Sequence, residues 1–113
     1  MTTPLLSRPA FDDLGAVIGS EKLLGLVDRF VAALRTAFVG EGRSHADHER
    51  EAHTLISMSG MLGCERLSQA CRALELAAKR GDDLAQPLAE IRHLRDRTVE
   101  SLEDAQAHMR GAA

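Results

Sequence analysis

The sequence has no tyrosine and no tryptophan, and its three aromatic residues are Phe11, Phe30 and Phe38. Acidic residues outnumber basic ones, 17 to 14, for a formal charge of −3. Nucleic-acid binding usually needs a basic footprint and stacking rings, so this composition argues against it. No apolar run approaches the roughly 18 residues that cross a bilayer, and the first residues lack the apolar centre of a secretion signal. A cytoplasmic protein with no membrane partner is the expectation. No Gly-x-x-x-x-Gly-Lys-Ser/Thr loop, Gly-x-Ser-x-Gly elbow or His-Glu-x-x-His pair occurs, so nucleotide-driven or hydrolytic chemistry has no visible machinery. Cysteine is scarce as well. Cys64 and Cys71 are seven residues apart in a segment that reads as helix, which puts their Cα atoms about 10.5 Å apart, too far for a disulfide. Both read as small buried hydrophobes.

What the chain does have is hydrophobic periodicity on a helical repeat, within 113 residues that suit one core. Residues 1–9, with Pro4 and Pro9, read as a flexible lead-in, residues 10–109 as a single domain and residues 110–113 as a tail. Phe11, Leu14 and Ile18 suggest a short helix ending at Gly19. Ser20 offers an N-cap for a second helix, whose stripe is Leu23, Leu24, Val27, Phe30, Val31, Leu34 and Phe38, stopped by Gly40 and Gly42. Ser44 can cap a third helix with Ala52, Leu55, Ser59 and Leu62 on its buried face, and Gly63 supplies the turn. A fourth helix spans about Glu65 to Arg80, with Gly81 just past its end. Pro87 fits only a first turn, so a fifth helix should begin near Asp83 or Leu84 and run to about Met109. Its core stripe reads Leu84, Leu88, Ile91, Leu94, Thr98, Leu102 and Ala105. Strand-like alternation is missing and the connections are short. The fold class expected is all-α, an up-and-down antiparallel four-helix bundle with a short N-terminal cap helix.

Five histidines are the candidates for chemistry. Glu90 and His93 make one Glu-x-x-His on a solvated face, whereas a di-metal bundle needs two such motifs and two further glutamates. His45 and His48 sit among charges at a helix start and read as surface residues. His53 lies roughly 120° from the centre of its helix's apolar stripe, so its imidazole should be exposed. Ser57 and Gly60 follow at i+4 and i+7, both small. A glycine inside a helix costs about 1 kcal/mol against alanine, and close approach of another surface is a reason to keep it. His53 is ten residues before Gly63 and Glu75 twelve after it, so on antiparallel helices they stand at about one level. A carboxylate there can accept the Nδ1 proton and leave Nε2 as the nucleophile. An unrelated surface pair satisfies the same spacing.

The string Ala52-His-Thr-Leu-Ile-Ser-Met-Ser-Gly-Met-Leu-Gly63, followed by Leu67, Cys71, Leu74 and Glu75, resembles a histidine-containing phosphotransfer domain. The family pattern is His-x-Leu-Lys-Gly-x-Ser-x-x-Leu-Gly, with Gln or Glu on the next helix, and the resemblance extends over residues 11–105. It implies that His53 is the phosphoryl acceptor, Glu75 its hydrogen-bond partner, and Ile56, Ser57, Met58 and Gly60 the docking surface. The partners implied are response-regulator receiver domains and a sensor or hybrid histidine kinase. No intrinsic cofactor is expected, since Mg²⁺ belongs to the receiver, and with four long helices the domain should be a monomer. Two departures stand out: the family lysine is Ile56 and the family glycine is Ser57. Arg72, nearly level with His53, or Arg50 is then the candidate phosphoryl-stabilising cation. These departures also suit a second reading, a helical adaptor that binds a regulator or kinase without carrying phosphate.

Overall fold

In the computed structural model, which describes residues 3–40 and 42–111, five helices and no strand form the elements: α1 (Arg8–Ile18), α2 (Ser20–Thr36), α3 (His45–Met61), α4 (Glu65–Arg80) and α5 (Ala85–Gly111). Helix α1 begins at Arg8 and α5 ends at Gly111, each inside a segment read from sequence as a tail. Ser7 caps α1, its Oγ accepting from the Ala10 amide, and α5 continues past Met109; Met1, Thr2, Ala112 and Ala113 lie outside the described residues.

Local chemistry explains most of the boundaries. At α3, Ser44 Oγ accepts from the Asp47 amide while the Asp47 carboxylate accepts from the Ser44 amide, a reciprocal cap that also holds the Asp47 carboxyl below its ordinary value. Two left-handed glycines, Gly63 and Gly81, turn the chain after α3 and α4, and in each case the next residue's amide reaches back to satisfy a helix-end carbonyl: Cys64 to Ser59 and Asp82 to Ala77. Three expected boundaries shift. Gly19, at φ 92°, is the residue that enters α2, and Ser20 is already helical and caps nothing. Likewise α2 stops at Thr36, short of Phe38, and α5 starts at Ala85, whose amide is accepted by the Asp83 carboxylate.

All five helices contribute to one hydrophobic cluster, from Phe11 through Val27, Phe30, Leu34, Leu55, Leu67, Leu74 and Ile91 to Leu102. Leu24, Leu88 and Leu94, expected in the core, are half-buried, and Val99 and Gln106 are buried in addition. Cys64 and Cys71 are buried and free, and burial pushes both thiols up to about 12, the Glu51 carboxylate adding to the effect at Cys71.

The sequence expectation fails at His48, which is 5% exposed and not a surface residue. It lies four residues before Ala52, on the line of the α3 apolar stripe, and no partner for its Nδ1 exists among the described residues. Burial first, then the Arg43 charge, lowers its pKa; Arg92 adds to this while Glu51 and Asp47 oppose it. Those charges belong to a polar corner after α2. There Phe38 takes a left-handed φ of 61°, its amide donates to Glu51 Oε1 at 2.8 Å, Arg43 holds the same oxygen at 2.9 Å, and Arg92 and Arg95 donate to the Phe38 and Ala37 carbonyls.

Two antiparallel pairings position the site. Glu103, Gln106 and Arg110 of α5 reach Arg35 and Asp28 of α2. On the other pair, Glu49–Lys79, His53–Glu75 and Ile56–Ser68 are successive contacts between α3 and α4 leading toward the Gly63 turn.

Candidate functional site

Small residues set the closeness of α3 and α4. Ser59 and Ser68 are buried between them; Ser59 Oγ returns to its own helix at the Leu55 carbonyl, and Ser68 Oγ crosses to the Ile56 carbonyl at 3.3 Å. With no bulk wedged between the backbones, a glutamate on α4 spans to a histidine on α3. Nδ1 of His53 lies 2.5 Å from Glu75 Oε2, and since a carboxylate only accepts, Nδ1 carries the proton and donates. The two side chains differ in exposure: 75% for His53 and 17% for Glu75. Glu75 is therefore held in a wall, while the imidazole projects beyond it with Nε2 free of any protein partner among the described residues.

The other expected residues fall into two groups. Ser57 and Gly60 are exposed along the strip that begins at His53, and Met61, also exposed, extends it. Ile56 and Met58 are half-buried and pack against the core cluster, so only part of each faces outward. Gly60 is not demanded by packing within the chain, because an added Cβ would meet only Ser68 Oγ at an ordinary 3.8 Å.

Of the two cations expected, Arg50 stands beside the imidazole and Arg72 does not. The hollow beside the imidazole is lined by Ala46, Glu49, Arg50, His53, Glu75 and Lys79. Arg50 is thus beside the ring, with a nearest carboxylate oxygen, on Asp47, at 3.8 Å. Arg72 is exposed on α4 outside that hollow and has no ion-pair partner among the described residues. Lys79, one turn beyond Glu75, was not anticipated; its Nζ stands 4.0 Å from Glu49 Oε1. The signal was in the sequence, since Lys79 stands to Glu75 as Glu49 stands to His53, four residues along the same antiparallel pair.

Among the described residues no cluster of three or more His, Cys, Asp or Glu could hold a metal ion, and no helix is long and apolar enough to cross a membrane. In comparisons with known proteins, the family model described as the Hpt domain matches residues 21–108. Neither the curated proteins nor the solved structures yielded a match.

Proposed function

The chain belongs to the Hpt domain family of two-component phosphotransfer domains, and from that premise we propose that His53 carries the phosphoryl group through Nε2, accepting it from one receiver-domain aspartate and donating it to another. The observation that carries this reading is the pairing of an exposed imidazole with a walled-in carboxylate at 2.5 Å. Glu75 holds the proton on Nδ1, so the Nε2 lone pair faces outward. In the transfer, that pair forms the N–P bond as the P–O bond to the aspartate breaks, and the leaving electrons remain on the carboxylate. Positive charge that builds on the ring is balanced by Glu75. Mg²⁺ and most transition-state stabilisation are left to the receiver. The chain is then a carrier, not an autonomous kinase or hydrolase.

Lys79 and Arg50 are the cations within the hollow and are assigned the phosphoryl oxygens in place of the lysine replaced by Ile56, with Arg72 further along α4 as a weaker contributor. Ser57, Gly60 and the outward parts of Ile56 and Met58 form the docking strip for receiver and kinase. We read α2–α5 as an up-and-down four-helix bundle with α1 as its cap, the five helices acting as one cytoplasmic, monomeric unit.

The test is transfer of label from a panel of phosphorylated receiver domains to the parent chain and to His53→Gln. Acid-labile label on the parent and none on a still-helical variant is the expected result, and label that persists on the variant refutes the assignment. The Ile56 and Ser57 departures favour a second reading, an adaptor that binds without carrying phosphate. Tight receiver binding with no label on the parent would decide for it.

A further inference from the structure

On the side of α4 turned away from His53, a groove runs between α4 and α5. Its accessible apolar surface comes from Ala70 and Ala73 on the α4 side and from Pro87 and Leu94 on α5, with Leu74 and Ile91 buried beneath. Taking 100° per residue, Arg66, Ala70 and Ala73 lie about half a turn around α4 from Glu75, so groove and imidazole face opposite ways. On α5 the lining runs from Pro87 to Arg97, a length of about 15 Å. Alanines on one wall let another backbone approach closely, as ridge-into-groove packing of a third helix requires.

The charges on the rim are unevenly placed. Counted out from the connection between α4 and α5, Arg66 and Arg97 fall at nearly the same level on opposite walls, and neither has an ion-pair partner among the described residues. Two arginines at one level on opposite walls, each without an ion-pair partner among the described residues, make that end of the groove a site of unbalanced positive potential. The one acidic residue lining the groove, Glu90, stands toward the other end, where it accepts from Gln86 Nε2 at 3.1 Å. His93 lies on the same rim.

We propose that this groove docks an amphipathic helix of a partner protein, its apolar stripe seated on Ala73 and the outward parts of Ala70, Pro87 and Leu94, and its acidic side chains paired with Arg66 and Arg97. The occupant leaves the imidazole open, so a partner held there and a partner at His53 bind at the same time. Nothing in this assignment depends on His53 carrying phosphate.

The test uses the full chain labelled with ¹⁵N and a synthetic helical peptide of about four turns, with leucines at i, i+3, i+4 and i+7 and two glutamates at one end. A twin peptide carries lysines in place of the glutamates. The expected result is amide shifts confined to Ala70, Ala73, Ile91, Leu94 and their neighbours, with the His53 signals unmoved. Affinity should fall about tenfold in Arg66→Ala/Arg97→Ala, and the lysine twin should bind far more weakly in the parent. Equal binding of the two peptides, insensitivity to the double substitution, shifts elsewhere, or no binding at all overturns the proposal. A parent chain that dimerises in sedimentation through this groove, with the double substitution dissolving the dimer, also overturns it, because the occupant is then a second copy.

Discussion

Replacing Glu75 by alanine removes the acceptor of the His53 Nδ1 proton while leaving the nucleophile in place. A hydrogen bond to a charged group contributes about 1.5–3 kcal/mol. With the imidazole 75% exposed, water takes over the Nδ1 proton in the variant, and the lower end of that range applies. A loss of about 1.5 kcal/mol is about tenfold in the rate of phosphoryl acceptance. Glu75→Gln keeps an acceptor oxygen and loses only the charge, so about a threefold loss is expected. Rapid-quench transfer from a labelled receiver separates the effects: the maximal rate should fall in the order parent, Gln, Ala, with half-saturation unchanged because Glu75 is walled in, away from the docking strip. The melting temperature should stay within a few degrees of the parent, since one solvent-edge pair contributes little to the fold. An alanine variant that accepts phosphate at the parent's rate refutes the orienting role. A large melting shift with an unchanged rate makes the contact a clamp between α3 and α4 and nothing more.

Four further expectations can be measured alongside. Lys79→Ala should shorten the phosphohistidine half-life a few-fold at low salt, Arg72→Ala less so, and Ile56→Lys should lengthen it, the effects fading as salt is raised; if Lys79→Ala and Ile56→Lys both match the parent, charge compensation is wrong. His48 is buried with a lowered pKa, so the unfolded chain takes up its proton first; stability is full above the ordinary histidine value of 6.5 and declines below it. The urea midpoint should therefore fall from pH about 7.5 to about 5.5, and by less in His48→Leu, an equal fall in both ruling His48 out. Gly63→Ala should cost about 2 kcal/mol, because φ is +86° and the new Cβ would lie 2.9 Å from the Ser7 carbonyl oxygen. Gly60→Ala should raise the melting temperature slightly yet slow phosphotransfer, and an unslowed rate would mean that no partner approaches there.

The helices were legible because most of their boundaries are made by local chemistry: Ser44 with Asp47, Gly63 and Gly81 each act within a few residues of themselves. His53 and Glu75 were legible because two helices joined by one turn convert sequence distance into level. His48 was misread for a compositional reason. It continues the line of Ala52, Leu55, Ser59 and Leu62, but it sits in a run of charged residues that suggests solvent, and the corner beside it is completed by Arg92 from α5, far along the chain. Gln106 is similar, buried because Asp28 and the Leu24 carbonyl of α2 satisfy its amide. Lys79 was not legible from the family pattern, whose lysine follows the histidine on the same helix, whereas Lys79 comes to the hollow from α4.

The α3–α4 pair is fastened at both ends. Near the turn, the Ser7 amide donates to the Gly63 carbonyl at 2.8 Å; at the far end, His45 Nε2 bonds the Asp82 carbonyl at 2.7 Å. His53 and Glu75 form a rung between two fixed ends, already in place before any phosphoryl group arrives. In the proposed relay such a carrier behaves as an unbiased junction: it offers the same rung to whichever aspartyl phosphate arrives, and the slope along which phosphate runs is set by the difference between the two receivers. Substitutions at the rung change how fast both directions proceed, while only changes in the receivers reverse the flow.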